Sequence, residues 1–164
     1  MSENQTLDGP NTEIRATPAQ MQERVGSAFG ASAWMLIDQA KISAFADLTD
    51  DRYFIHTDPA RAARETPYGG TIAHGFLTLS LLAQMAYQVC PGVEGTRSGV
   101  NYGFNRLRFL SPVRAGSRVR GHYTLKNFES QPGARWTATW DVTVEIEGES
   151  KPAIAAEWIN AGFF

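Results

Sequence analysis

The stretch from Thr66 to Val93 contains no Asp, Glu, Lys or Arg, and this limits how the chain can fold. Its centre, from about His74 to Val89, has apolar residues at helical spacing on nearly every side, with one narrow polar stripe at Ser80, Gln84 and Gln88. A helix at a protein surface has a wide polar face, so a helix of this kind has to be surrounded by protein. The rest of the chain must therefore supply a layer that wraps it.

The same stretch also has to be considered as a membrane span. Its continuous apolar part, about Ile72 to Cys90, is interrupted by the polar side chains of His74, Thr78, Ser80, Gln84 and Gln88. A spanning helix needs about 20 predominantly apolar residues, and Pro91-Gly92 ends this one at the short end of the range. The polar N-terminus lacks the basic start and apolar run of a secretory signal. We therefore expect a buried helix and no membrane segment.

The C-terminal part of the chain changes to a period of two, which predicts the antiparallel strands of the wrapping layer. From Trp136 to Ile146 the even-numbered residues are apolar and the odd-numbered ones are Thr, Asp or Glu. The segment from Val119 to Phe128 alternates similarly, and Ile154 to Trp158 gives a last strand. Between Val100 and Leu110 the apolar positions move from even to odd numbers, which predicts a bulge near Asn105.

Local signals predict the remaining elements. They are a helix from Thr17-Pro18 to about Ser27, a buried strand from Ala33 to Ile37, a helix capped by Asp38, and a short helix from Asp58-Pro59 to about Glu65. We divide the chain into a polar N-terminal tail, residues 1–17, and a single domain, residues 18–164. A buried helix followed by long antiparallel strands predicts an α+β fold, one bent antiparallel sheet wrapped around a long central helix. This arrangement is the hot-dog fold.

Composition excludes several classes of function. The chain has 15 Lys and Arg against 17 Asp and Glu, a formal charge of −2, and so lacks the basic surplus with which nucleic-acid-binding proteins neutralise phosphates. Cys90 is the single cysteine, so an intrachain disulfide or a cysteine-rich zinc site is impossible, and this usage fits a reducing compartment. We expect a cytoplasmic protein that does not bind nucleic acid.

The candidate catalytic residues lie between two predicted helices. Asp51 and His56 share neither a strand face nor a helix face, so only a turned, non-repetitive loop brings them together. The alternative is an Asp that stabilises the loop and a His at the surface. His74, at the start of the buried helix, has either a backbone-orienting or a catalytic role. His122 lies on the polar face of a strand and is expected to face solvent.

The segment 66–75 leads, without a charge, to the N-terminus of the buried helix. Unpaired amides there suit a polarised carbonyl oxygen, and Gly75 permits close approach; the alternative is a simple turn and helix start. Asp50, Asp51, His56 and Asp58 lack the ligand spacing of a metal site, so we expect no metal.

Together these residues resemble the MaoC-like dehydratases, also called R-specific enoyl-CoA hydratases or hydratase 2 proteins. The resemblance runs from about Ala33 to Trp158. Its most specific part is the run from Phe45 to His56, followed by Asp58-Pro59 and by Ile72-Ala73-His74-Gly75. The run from Asn101 to Phe109 is similar to the nodulation-protein-N-like branch of that family.

The resemblance implies an enzyme that reversibly adds water to a trans-2-enoyl-CoA and gives an R-3-hydroxyacyl-CoA. It implies that Asp51 and His56 hold and activate the water, that the amide of Gly75 binds the thioester oxygen, and that His74 belongs with Gly75 to the oxyanion or substrate-binding residues. It also implies a homodimer that takes an acyl-CoA or acyl-carrier-protein thioester and needs no metal and no separate cofactor. The acyl chain is then expected between helix and sheet, bounded by Phe76, Leu79 and Tyr102.

The sequence departs from the family pattern in two places. The pattern reads approximately Gly-Asp-x-Asn-Pro-aliphatic-His, and here Asp50 replaces its glycine and Tyr53-Phe54 replaces Asn-Pro. Asp tolerates positive φ better than most residues, which keeps the loop possible. Two other functions stay open. One is a hot-dog acyl-CoA thioesterase, which attacks the thioester carbonyl, and the other is a noncatalytic acyl-thioester-binding protein, which the altered loop favours.

Overall fold

The computed structural model describes residues 14–131 and 133–164, and its main feature is a six-stranded antiparallel sheet. The strands are β1 (Arg15–Ala16), β2 (Ala28–Ala31), β3 (Met35–Ile37), β4 (Gly92–Val93), β5 (Ser98–Phe109), β6 (Ser117–Gln131), β7 (Arg135–Ile146) and β8 (Ile154–Phe163). The helices are α1 (Pro18–Glu23), α2 (Gln39–Thr49), α3 (Phe54–Thr57), α4 (Pro59–Glu65), α5 (Gly75–Ser80) and α6 (Leu82–Ala86). The sheet order is β2-β6-β7-β8-β5, with β3 also paired to β6, while β1 and β4 form a separate parallel pair.

The long strands confirm the alternating pattern and the α+β hot-dog prediction. The even-numbered residues of β7 from Trp136 to Ile146 are all buried, and on β6 the side chains of Val119, Tyr123 and Leu125 are buried on the same inner face. The register of β5 against β8 shifts between Phe104 and Arg106, which confirms the bulge at Asn105. A second shift, between Asn101 and Gly103, was not predicted.

The central helix, expected to be one continuous and mostly buried helix from about His74 to Val89, differs in its continuity. It is divided into α5 and α6 at Leu81, whose amide bonds to the carbonyl of Thr78. The hydroxyl of Ser80 donates to the carbonyl of Leu77 at 2.7 Å, and a side-chain bond of this kind competes with the backbone hydrogen bonds of the helix. Its burial agrees with the expectation, because the exposed residues are Ser80 and Gln84 of the polar stripe and Phe76, one turn before Ser80, which is 67% exposed.

The capping signals place the N-terminal helices well and their ends less well. Thr17 and Gln20 form a reciprocal capping box that starts α1, but α1 ends at Glu23 and not near Ser27. Asp38 accepts a 2.9 Å hydrogen bond from the amide of Lys41 in α2, and Asp58 accepts one of the same length from the amide of Arg61 in α4. Of the predicted strand from Ala33 to Ile37, only Met35–Ile37 pairs with the sheet.

The N-terminal tail is described only in part. Residues 1–13 lie outside the described residues, so the predicted tail boundary at residue 17 stays a prediction. Arg15–Ala16 pair in parallel with Gly92–Val93. In the described part of the chain, no helix is long and apolar enough to cross a bilayer.

Aromatic side chains fill the space between the sheet and the helices. Tyr123, which is 1% exposed, donates to the carbonyl of Leu82 at 2.7 Å and so ties the sheet to α6. The indole of Trp136 lies over Gly162, its cross-strand partner, where a Cβ would overlap the ring. Its Nε1 donates to Thr96 at 2.8 Å. The sheet is therefore fixed to both the helix pair and the loop before β5.

Candidate active site

The turn that carries the candidate dyad begins where α2 ends. Asp50 adopts the left-handed conformation, φ 59° and ψ 17°, which favours glycine and is tolerated by aspartate. Its carboxylate pairs with Arg52 at 3.1 Å, and Arg52 also pairs with Asp47 at 2.8 Å. The backbone shape that the family glycine permits is therefore kept, and the Asp50 side chain is engaged by Arg52.

The next residues form a short helical turn, α3, and not the non-repetitive loop expected from the spacing. Tyr53 has φ −58° and ψ 139°, the extended conformation to which a residue before proline is restricted. Phe54 is the first helical residue, the position where proline is favoured in a helix. Tyr53-Phe54 thus adopts the conformation that Asn-Pro would impose, so the second departure from the family pattern also leaves the turn intact.

The side chain of His56 is buried and fixed by one hydrogen bond. Its Nδ1 lies 2.7 Å from the carbonyl oxygen of Ile72, and because a carbonyl only accepts, Nδ1 carries the proton. Neutral His56 then has a free lone pair on Nε2. Burial, which penalises the charged form, lowers the pKa of His56 below its ordinary value of 6.5, against the opposing effect of the bond to Ile72. His56 is therefore suited to act as a base at neutral pH.

His74 joins the two residues that the sequence predicted. Its Nε2 lies 2.9 Å from the backbone carbonyl oxygen of Asp51, and its ring stacks on that of His56 with centroids 3.7 Å apart and planes inclined by 24°. Phe45 packs against the His74 ring, with centroids 5.1 Å apart. His74 itself is 3% exposed.

Asp51, His56 and His74 converge on one point. One carboxylate oxygen of Asp51, which is exposed, and one nitrogen of each imidazole lie within 4.8 Å of one another. A point between three such atoms lies no more than about 2.8 Å from all of them, the usual hydrogen-bond length to water. The cluster can therefore hold one water molecule.

The same three side chains are of the types that bind transition metals. An ion bound to both imidazoles has to lie in both ring planes, about 2.0–2.1 Å from each nitrogen. Planes inclined by 24° with centroids 3.7 Å apart meet well beyond that distance. The stacked pair is therefore not suited to a shared metal ion.

A polar network behind His56 was missed in the sequence. The side-chain amide of Gln39 donates to the backbone carbonyl of His56 at 2.8 Å, and its oxygen accepts from the hydroxyl of buried Thr71. The amide of Ile72 donates to the carbonyl of Ile55 at 3.0 Å. Gln39 follows the N-cap Asp38, which gave only a helix signal, because its contact with His56 is tertiary.

A cavity of about 270 Å³ opens beside His56, and Gly75, Thr78, Phe109 and Pro112 also line it. Gly75 begins α5, and a Cβ at this position would lie 2.9 Å from the Phe109 ring. Glycine therefore permits the ring to lie against the helix start.

The other predicted substrate residues lie further out. The rings of Phe76 and Phe109 meet edge to face, with their centroids 5.7 Å apart, and Leu79 is partly buried against the core. Tyr102 is 62% exposed, with the Arg135 guanidinium 4.8 Å from its ring centre.

His122, expected at the surface, is half-buried and bonds Glu145 at 2.6 Å. A larger cavity of about 400 Å³ lies at the other end of the helix pair, lined by Tyr87, Cys90, Trp136 and Trp158 among others.

Comparisons with known proteins point to one family. A family model described as MaoC like domain matches residues 20–147. Nodulation protein N of Rhizobium leguminosarum bv. viciae is 49% identical over 87% of this chain and 88% of its own length. The 3-hydroxyacyl-thioester dehydratase Z of Mycobacterium tuberculosis is 44% identical over 86% of this chain and 92% of its own.

Solved structures of two hydratases have the same fold. R-hydratase PhaJ1 from Pseudomonas aeruginosa, in the unliganded form, matches with a TM-score of 0.65 and 25% identity over 87% of this chain and 83% of its own. The (R)-hydratase from A. caviae matches with a TM-score of 0.64 and 26% identity over 83% and 94%. The fold, the Asp51–His56 turn and these relatives together show that the chain belongs to the MaoC-like dehydratases, in the branch of nodulation protein N.

Proposed function

We propose that this protein catalyses the reversible addition of water to a trans-2-enoyl-CoA, giving an R-3-hydroxyacyl-CoA. The observation that carries the proposal is the convergence of Asp51, His56 and His74 within 4.8 Å, next to a cavity that Gly75 and Phe109 line. The relatives with known activities are dehydratases and hydratases, and one of them acts on a 3-hydroxyacyl thioester.

The proposed mechanism assigns the base to His56. Its Nε2 takes a proton from the bound water as the water oxygen attacks C3 of the enoyl group, and the Asp51 carboxylate orients that water. The electrons of the double bond move to C2 and the thioester oxygen, which the Gly75 amide stabilises. C2 then takes a proton from the dyad, so the elements of water are added across the bond. The steps require neither a metal nor a separate cofactor.

The test measures two products from one substrate. With crotonyl-CoA, we expect loss of the conjugated enoyl absorbance without release of free thiol. Release of thiol at the same rate would identify a thioesterase instead, and saturable binding without either change would identify a noncatalytic thioester-binding protein. An acyl-carrier-protein thioester of the same acyl group, assayed in parallel, determines which carrier is used.

The dyad is tested by substitution. We expect Asp51→Asn and His56→Ala each to lower turnover by at least about 10²-fold, with losses far from additive in the double variant, because the two residues hold one water. Arg64→Ala, on the neighbouring α4, is the matched control and should keep wild-type turnover. Near-wild-type turnover in either dyad variant would remove that residue from the mechanism.

We further propose that the acyl chain extends from the dyad cavity past Phe109 toward Phe76, with Leu79 and Tyr102 as further boundaries. The contact between Phe76 and Phe109 supports this path, since Phe109 lines the cavity. Substitutions that shrink or enlarge Phe76 and Leu79 should shift the preferred chain length across a panel of enoyl-CoAs. Unchanged preferences would place the chain elsewhere.

The outer edge of β5 supports a homodimer. β5 is an edge strand of the sheet. Among the described residues it pairs with β8 along one side, and its other side is unpaired. The strand exposes large apolar side chains: Val100, Tyr102, Phe104 and Phe109. An unpaired apolar edge of this length favours pairing with another strand, and a two-fold axis allows two copies to pair through the same edge.

The dimer is tested by sedimentation. We expect wild type at twice the chain mass and Phe104→Glu at the chain mass, while Leu36→Glu, at a somewhat more exposed position on β3, stays at twice the chain mass. A wild-type protein that sediments as one chain contradicts the proposal.

We place the protein in the cytoplasm, which fits its single, unpaired and buried Cys90.

A further inference from the structure

His74 is the side chain that contacts both members of the dyad. It meets the backbone of Asp51 through Nε2 and the ring of His56 through its face, and it also precedes α5 as the N-cap residue. Asp51 and His56 belong to the turn after α2, whereas His74 belongs to the segment that leads into the central helix. A single residue from a separate element therefore touches both groups.

The hydrogens of His74 limit what it can do. A neutral imidazole carries one N–H, and here it is on Nε2, because the carbonyl oxygen of Asp51 can only accept. Nδ1 is then a bare acceptor, buried and without a hydrogen-bond partner among the described residues. Neutral His74 thus has no hydrogen left to donate to a thioester oxygen. This differs from the oxyanion or substrate-binding role that the resemblance gave His74 together with Gly75.

We propose that His74 is a positioning residue, which fixes the backbone of Asp51 and the ring plane of His56 relative to each other. The kinetic part of this proposal rests on the proposed hydratase function. The bond from Nδ1 to Ile72 restrains His56 at one atom, and the stacked face of His74 supplies a second restraint. Phe45, on the His74 ring, holds that ring in place.

Small errors in this geometry matter for catalysis. A displacement of about 1 Å in a reacting group can cost on the order of 10²-fold in rate. Asp51 is exposed and lies in a turn, so the bond from His74 to its carbonyl is a direct restraint on where its carboxylate lies. Loss of His74 should therefore lower the rate of the chemical step more than the affinity for substrate.

Two substitutions separate the two contacts. His74→Gln keeps an amide donor near the Nε2 position and loses the stacked ring, whereas His74→Phe keeps the ring and loses the donor. We expect each to lower kcat by about 10-fold or more while KM changes by less than about threefold. His122→Gln, a change at a histidine on the outer face of the sheet, is the matched control and should keep wild-type kcat.

A second measurement distinguishes positioning from a loss of folding. The chain has 3 histidines, so the His56 resonances can be assigned by their absence in His56→Ala, and the pKa of His56 can be followed by NMR. We expect that pKa to rise toward 6.5 in His74→Gln, because removal of the stacked ring admits water. In His74→Phe it should rise less, since the ring still covers His56 and only the charge effect of His74 is lost.

The outcomes are distinguishable from those of the proposed function. If wild-type protein hydrates no enoyl thioester, the proposed function fails, and the NMR titration still tests whether His74 holds His56. The positioning role is overturned if the His56 pKa in His74→Gln equals that of wild type. It is also overturned if both variants keep kcat within about twofold, or if they lose activity only in proportion to their folded fraction.

Discussion

The side-chain amide of Gln39 donates a 2.8 Å hydrogen bond to the backbone carbonyl of His56, and it accepts from the hydroxyl of Thr71. These contacts join the first turn of α2 to the turn of the dyad and to the segment before α5. Because His56 Nδ1 donates to Ile72, the residue after Thr71, one glutamine stabilises both the backbone that carries His56 and the segment that holds its ring.

Replacement of Gln39 should therefore impair catalysis without direct contact with substrate. Gln39→Leu leaves the His56 carbonyl and the buried Thr71 hydroxyl without these partners, and one such loss costs about 1–3 kcal/mol. Because two partners are lost, we expect a free energy of unfolding lower by at least that amount, and a lower kcat. Urea unfolding and steady-state kinetics measure the two effects. Gln22→Leu, on the exposed face of α1, should change neither, and an equal effect at both positions would contradict the role of Gln39.

Asp50 should tolerate glycine. Its left-handed conformation suits glycine better than aspartate, while the exposed ion pair with Arg52 contributes at most about 1 kcal/mol, so gain and loss nearly cancel. We expect Asp50→Gly to keep wild-type activity and to shift the free energy of unfolding by less than about 1 kcal/mol. Asp50→Val, with a β-branched side chain at the same φ, should destabilise the protein. If Asp50→Gly lost hydratase activity while Asp51→Asn kept it, the catalytic carboxylate would be that of Asp50, and its assignment to Asp51 would be wrong.

Phe54 should tolerate proline because its backbone and that of Tyr53 already have the required shape. We expect Phe54→Pro to keep activity within about threefold. The protein should lose a little stability, because the substitution removes the Phe54 ring, whose centroid lies 4.0 Å from the Arg61 guanidinium. Ile55→Pro is the contrast, since it disfavours the helical conformation of Phe54 and should abolish activity. Equal activities in the two variants would show that α3 does not set the dyad geometry.

Gly75 should not tolerate a side chain. Gly75→Ala places a methyl group 2.9 Å from the Phe109 ring, which is half-exposed and can move aside. The ring then shifts at the cavity beside the dyad, so we expect turnover to fall by about 10-fold or more with little change in melting temperature. Phe109→Leu in the same chain should restore part of the activity by making room for the methyl group. Full activity of Gly75→Ala alone would exclude a close approach of substrate at this amide.

The depressed pKa of His56 makes both activity and stability depend on pH. The unfolded chain binds more protons than the folded one between the folded pKa of His56 and 6.5, so this residue makes stability rise with pH across that window. Its contribution is complete above 6.5 and is lost as the pH falls toward the folded value. We expect the acid limb of kcat/KM to lie below 6.5 and the slope of stability to flatten in His56→Asn. An acid limb above 6.5 would contradict the base assigned to His56.

How much of this was visible in the sequence depends on the range of each interaction. Thr17, Asp38 and Asp58 cap helices through bonds three residues away, so their sequence signals are local and sufficient. The alternation of β7 predicts its buried face directly. By contrast, the two-residue strand β1 forms through a partner more than seventy residues later, and no local pattern marks it.

The site shows the same division. Asp51 and His56 were recognisable from spacing and from the family pattern, and the structure brings them together. The contribution of Gln39 was not, because a glutamine after a helix cap has no distinctive signal until the fold places its amide on His56. The division of the central helix was also hidden, since no glycine or proline marks it, and the serine there signals its side-chain bond to Leu77 only in the folded chain.

The indole of Trp136 resting on Gly162 has a consequence for mutational scans of this chain. Position 162 is remote from Asp51 and His56 in sequence, yet any side chain there would push the indole away from Thr96 and loosen the loop before β5. Variants at this position should be depleted from a saturation library because the protein no longer accumulates. In this chain, intolerance of substitution is therefore not by itself a marker of the catalytic residues.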